Sequence, residues 1–239
     1  MKNTPFIAVT SQPVPYHADT TAIFNTLCQQ NSNSLLLDSA EIGSKNSLQS
    51  LILINAAVKI TCLGNQVTFR ALNANGKQVL KEIHPVLSQL GTVSAVNFDD
   101  EFSVQFAPLD NQLDEDSKLQ AATIFDGLRV ISNHYQHSST PVFLGGLFAY
   151  DLVANFIPMQ GVELKDDGIN CPDYSFYLAE NLITIDHQSQ QATLKSFCFS
   201  QEEQVEVAKT ALSIAQKLKN IDGVLSIKAA SDEVSTNFE

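Results

Sequence analysis

Residues 57–63 (AVKITCL) and 66–72 (QVTFRAL) alternate apolar and polar side chains on either side of Gly64-Asn65. A period of two places the apolar set of each segment on one face of a strand. A two-residue Gly-Asn link tolerates the positive φ of a tight turn, so the pair reads as a β-hairpin. The rest of the chain must then supply further strands beside this hairpin and helices to cover it.

Those elements can be read in order. Residues 1–17 are extended, because Pro5, Pro13 and Pro15 block helix. Residues 20–30 carry Ile23, Phe24, Leu27 and Cys28 on one helical stripe, with Asp19 placed as N-cap. Residues 34–38 form a short apolar strand, expected to be buried on both faces. Residues 44–55 read as a helix capped by Ser44, with Leu48, Leu51, Ile52 and Asn55 on one face. A turn at 73–76 leads into a helix over 77–90. Residues 91–112, rich in Asp, Asn and Gln, read as extended with loops. Asp114-Glu115-Asp116 brings negative charge to a helix start, where the macrodipole favours it. That helix is expected over 116–135, burying Ile124, Phe125, Leu128 and Ile131. Residues 142–150 form a strand in which Gly145-Gly146 permits a bulge or a close backbone approach. After a loop at 158–173, residues 174–180, 182–186 and 191–199 make a meander. A helix over 201–219 should face Val205, Ala208, Leu212, Ala215 and Leu218 inward. The fold class that follows is α+β, a largely antiparallel sheet with packed helices. Residues 1–220 form the body, and residues 221–239 a connector.

Composition narrows the function. The net charge of −12 argues against binding nucleic acid or an anionic membrane surface, both of which call for a basic face. No stretch reaches the roughly 20 apolar residues of a membrane span, and the N-terminus lacks a signal-peptide core. A cytoplasmic location is expected. The four cysteines, Cys28, Cys62, Cys171 and Cys198, lie far apart, without zinc-site spacing, and read as buried free thiols. His134 and His137 stand at i, i+3 but have no evident third ligand, so no metal is assigned. Asp99, Asp100 and Glu101 read as a solvated loop. GxSxG, HExxH, GxGxxG and P-loop motifs are absent. The run 143–151 (FLGGLFAYD) fails as a nucleotide loop, because no Lys or Ser/Thr follows its glycines.

One stretch carries binding chemistry. Residues 35–45 (LLLDSAEIGSK) run from an apolar strand into Asp38, Ser39 and, six residues later, Lys45. A carboxylate or hydroxyl can receive the ammonium of a small zwitterion, while a lysine or backbone N–H groups receive its carboxylate. The same residues also fit a plain strand end or helix N-cap.

Four segments in order, 35–64, 113–129, 143–156 and 170–188, resemble the N-terminal portion of the large subunit of anthranilate synthase (component I). The resemblance covers nearly the whole chain. It implies an enzyme, a lyase-type amination and elimination. Chorismate and an ammonia equivalent become anthranilate and pyruvate, the first step of tryptophan biosynthesis. It implies feedback inhibition by tryptophan at a site separate from the active site, with Ser39 and Asp38 as contacts. Ala40, Lys45, Arg129 and Cys171 are supporting candidates. It implies a glutamine amidotransferase partner (component II). It also implies that the catalytic residues and Mg²⁺ belong to a chorismate-binding region beyond this chain, with none here. Where relatives carry a lysine in the helix expected after the strand, this chain has Gln49, which leaves the ligand's carboxylate partner open. Alternatives are the N-terminal part of an aminodeoxychorismate synthase, or a stand-alone amino-acid-binding module.

Overall fold

The structure, a computed structural model, describes residues 4–29, 31–38, 48–97, 100–108, 114–156 and 171–221. In chain order the first elements are β1 (Ala8–Val14), α1 (Thr20–Cys28), β2 (Leu35–Asp38), β3 (Gln49–Leu63), β4 (Gln66–Ala71) and α2 (Ala74–Leu87). Then come β5 (Thr92–Asn97), β6 (Glu101–Gln105), α3 (Glu115–Gln120), α4 (Asp126–His134), β7 (Leu144–Phe148) and a 3₁₀ helix (Tyr150–Asn155). Last are β8 (Tyr174–Asp186), β9 (Gln191–Cys198) and α5 (Gln204–Lys219). The chain is an α+β protein whose registered strand pairs are antiparallel. It divides into two compact units, one of residues 8–55, 180–198 and 202–239, the other of 1–7, 56–179 and 199–201. Strands β3 and β8 each give residues to both.

In the first unit β9 pairs with β1 from Ala8↔Cys198 to Val14↔Ala192, and with β8 from Asn181↔Ser196 to Asp186↔Gln191. β2 pairs with β3 from Leu35↔Leu53 to Asp38↔Ser50. Helix α1 starts where the Asp19 carboxylate accepts the Ala22 N–H at 2.8 Å, as its N-cap position requires. Helix α5 packs on β9 and β1 and touches α1. Ile23, Ile52, Ile54, Ile183, Leu194, Ile214 and Leu218 close the core between them.

In the second unit the hairpin β3–β4 runs from Val58↔Ala71 to Leu63↔Gln66, with Gly64 at φ +57° in its turn. β4 continues to β6 and β6 to β5. β7 pairs with β8 from Leu144↔Leu178 to Phe148↔Tyr174. Helix α2 lies on β4 and against α4, and Phe69 stacks on Phe102 with ring centroids 5.2 Å apart. Gly146 is needed for close approach: a Cβ there would stand 2.2 Å from the Ser175 carbonyl oxygen and 2.7 Å from the Phe176 Cα.

Several expectations need correction. Residues 49–55 are strand, not helix. Leu51-Ile52-Leu53-Ile54 fits a helical stripe, but an unbroken apolar run fits a strand buried on both faces equally well. Pairing with β2 decides, and Ile52, Leu53 and Ile54 are all buried. The helix expected over 116–135 is two helices. Ala121 is extended (ψ 140°), and the Asp126 carboxylate accepts the Thr123 N–H at 2.7 Å. The Thr123 hydroxyl also donates to that carboxylate at 3.4 Å, and Asp126, as the first residue of α4, brings negative charge to the helix start. Helix α2 begins at Ala74, because Asn73 caps it through the Gly76 N–H. Strand β7 is shorter than expected and gives way to the 3₁₀ helix, whereas 174–186 is a single strand. Helix α5 buries Val207, Ala211, Ile214 and Leu218, while Val205 and Leu212 are 66% and 65% exposed. Both stripes have helical spacing, and only Leu218 belongs to both. Strand β2 is not buried on both faces: Leu37 is 39% exposed.

Candidate functional site

Asp38 is the last residue of β2, and the β2–β3 register sets it opposite Ser50. Ser50 is fully buried, and its hydroxyl donates to Asp38 Oδ1. Thr20, the first residue of α1, donates from Oγ1 to Asp38 Oδ2 at 3.1 Å. Just past β8, His187 places Nε2 2.8 Å from Ser50 Oγ and Nδ1 3.2 Å from the Tyr16 hydroxyl. Its backbone N–H donates to the Leu48 carbonyl at 2.9 Å, which fixes the ring beside β3. The Tyr16 and His187 rings meet edge to face, 5.8 Å between centroids. The β8–β9 turn is held by Asp186, whose Oδ1 accepts the Gln188 and Ser189 N–H groups at 2.9 and 3.0 Å. The Ser189 backbone bond in particular keeps the Asp186 carboxyl below the usual carboxylate range.

Hydrogen-bond polarity in this cluster follows from valence. An ionised carboxylate only accepts, so Thr20 and Ser50 both donate to Asp38. Ser50 has one proton, spent on Asp38, so its oxygen accepts from His187 Nε2–H. In a neutral ring Nδ1 is then an acceptor, and Tyr16 donates to it. Every proton points toward Asp38. A Ser-His-Asp hydrolase works with the imidazole between serine and carboxylate. Here the serine is in the middle, buried, with its proton on the carboxylate and no base behind it. The cluster is therefore not a nucleophile. It is a carboxylate held by neutral donors, each oxygen keeping lone-pair capacity. Among the described residues no cation is ion-paired with it.

Of the residues singled out in the sequence, Asp38 alone is placed in this cluster. Ser39, Ala40 and Lys45 lie outside the described residues. Arg129 is exposed on α4 and pairs with Asp126 three residues earlier at 3.3 Å. Cys171 is exposed rather than buried, while Cys28, Cys62 and Cys198 are buried. Gln49 opens β3 instead of sitting in a helix. Tyr16, Thr20, Ser50 and His187 were not anticipated. Their meeting depends on the β2–β3 register, which is invisible while 49–55 is read as helix.

Two other polar clusters are structural. Glu82 on α2 accepts from Gln78 Nε2 (2.8 Å), from the Tyr135 hydroxyl (2.9 Å) and from His134 Nε2 (3.0 Å). Burial alone would raise its carboxyl; these bonds outweigh it and hold Glu82 below its ordinary value. Asp173 accepts the Gly64 N–H (2.7 Å) and Asn155 Nδ2 (2.9 Å), which ties the hairpin turn to the 3₁₀ helix. Burial and then the Asp173 charge push the Cys62 thiol up to about 12, which makes it inert. Asp100 pairs with Lys77 at 2.6 Å and Glu101 with Arg70, whereas Asp99 lies outside the described residues. Among the described residues no group of three His, Cys, Asp or Glu side chains is arranged for a metal ion. No described helix is long and apolar enough to cross a membrane.

Comparison with known proteins adds a family. The chorismate binding enzyme model matches residues 78–237. Anthranilate synthase component 1 of Haemophilus influenzae is 86% identical over 234 residues, which are 98% of this chain and 45% of that protein. The component 1 proteins of Vibrio cholerae and Escherichia coli are 44% and 36% identical over 83% and 82% of this chain, and 38% and 37% of their own lengths. The chain thus spans less than half the length of each of these curated relatives.

Proposed function

Since the chain belongs to the chorismate binding enzymes, we propose that it is the regulatory and framework part of an anthranilate synthase large subunit. The whole enzyme would convert chorismate and ammonia, delivered from glutamine by a component II subunit, to anthranilate and pyruvate. Identity to named component 1 proteins along nearly all of this chain supports that reaction over the aminodeoxychorismate alternative. Mg²⁺ and the catalytic side chains would come from the rest of the enzyme.

The regulatory role rests on one observation. Asp38 receives two hydroxyl protons and, among the described residues, no cation. A carboxylate so placed is suited to the ammonium group of a free amino acid, and L-tryptophan, the pathway's end product, is the proposed ligand. Ser39 follows directly in the chain and is the second proposed contact. Ala40, Lys45, Arg129 and Cys171 stay supporting candidates. Tryptophan would lower activity at a distance by binding an inactive arrangement more tightly than the active one.

The test uses the full-length enzyme that carries this sequence. With chorismate and glutamine, in the presence of component II, it should produce anthranilate fluorescence and pyruvate. Tryptophan should suppress both, and Ser39→Phe should remove that suppression. Formation of aminodeoxychorismate instead would overturn the activity; unchanged tryptophan inhibition in Ser39→Phe would overturn the site.

A further inference from the structure

We propose that His187 is a positioning residue for the Asp38 carboxylate, acting through Ser50 to set the direction in which Asp38 offers its free lone pairs to an amino acid's ammonium group. This rests on the reading of Asp38 given above and adds to it the device that orients the carboxylate. Two of the roughly four lone-pair sites of a carboxylate are occupied by Ser50 and Thr20, one on each oxygen. Among the described residues one site on each oxygen remains, at the exposed end of β2. That arrangement holds only while the Ser50 hydroxyl points at Oδ1.

A serine hydroxyl that donates to a carboxylate is held more firmly when its own oxygen also accepts, because each bond polarises the other. His187 supplies that constraint, with Nε2–H donating to Ser50 Oγ at 2.8 Å, while the Tyr16 hydroxyl at Nδ1 selects the Nε2–H tautomer. Ser50 is fully buried, so water offers no ready replacement donor. Without the imidazole the Ser50 oxygen loses its donor, and the bond from its proton to Asp38 weakens. The carboxylate can then turn about Cβ–Cγ, with Thr20 as its remaining tether. Tyr16 precedes α1, Thr20 opens it, Asp38 ends β2, Ser50 lies in β3 and His187 follows β8. The relay therefore joins four chain segments at one charge.

The experiment compares His187→Leu, His187→Gln and Asp38→Asn in the full-length enzyme with component II. Each variant is assayed for the tryptophan inhibition constant and, in the same preparation, the KM for chorismate. His187→Leu should raise the inhibition constant about tenfold relative to KM, as expected for losing a hydrogen bond that supports a charged contact. His187→Gln, whose side-chain amide can still donate to Ser50, should restore most of that loss. Nitrogen NMR of the neutral ring should show the proton on Nε2 and not on Nδ1. An inhibition constant unmoved by His187→Leu, where Asp38→Asn abolishes inhibition, would overturn the positioning role and leave the Asp38 site standing. Inhibition unmoved by Asp38→Asn would overturn both. Equal loss in both His187 variants, or a parallel change in inhibition constant and KM, would show a merely structural histidine and overturn the inference.

Discussion

Asp38 and Glu82 are both carboxylates bound by neutral or titratable donors, and the difference between them separates the proposed binding group from a structural one. Glu82 is half-buried, with three donors from α2 and α4 closing around it. Among the described residues Asp38 has two donors, on its protein side, and an exposed strand end on the other. The Glu82 carboxyl lies below its ordinary value, so its contribution to stability is present above the unfolded carboxylate range. It is lost as pH falls through the lowered folded value. Melting temperatures taken from pH 7 down through about pH 3 should therefore fall more steeply for the parent than for Glu82→Gln, which has no proton to bind there. Parallel acid profiles would show that Glu82 carries no such linkage.

At the scale of elements, local chemistry was readable and alignment was not. Asp19 announced α1, and Gly64-Asn65 announced the β3–β4 turn, because a cap and a positive-φ turn are set by one or two residues. The apolar run 51–54 could not announce its own state, since its partners in β2 lie 14 to 18 residues upstream in register. The break inside 116–135 was not announced either: Ala121 is extended and the Thr123 N–H goes to the Asp126 carboxylate, within a stretch that read as one helix. Gly146 is the clearest case in which sequence and packing agree. A glycine within a strand suggested close approach, and the nearest facing atom is the Ser175 carbonyl oxygen of β8, a backbone atom that cannot rotate away. Gly146→Ala should destabilise the chain by about 1–3 kcal/mol in urea unfolding, the cost typical of overpacking. An unchanged midpoint would mean that β7 and β8 can separate without penalty.

Across the whole molecule, the family could be read from four segments in sequence, and the site only in part. Asp38 was legible because a carboxylate ends an apolar strand. Ser50, His187, Tyr16 and Thr20 were not, because their common feature is a meeting point made by β2, β3, β8 and the entry to α1. The proposed division of labour also has a test at this scale. The chorismate binding match covers 78–237, yet the catalytic side chains are proposed to lie in the rest of the enzyme. The 239-residue chain given chorismate, ammonia and Mg²⁺ should yield no anthranilate fluorescence. Fluorescence from it would place catalysis within these residues.

The central claim is that Asp38 receives an amino acid's ammonium group. The most direct measurement is a tryptophan inhibition curve for the full-length enzyme with Asp38→Asn beside the parent. The substitution keeps the side chain's shape but removes its charge. The parent should be inhibited, and the variant should give a flat curve across the same concentrations. Superimposed curves would contradict it.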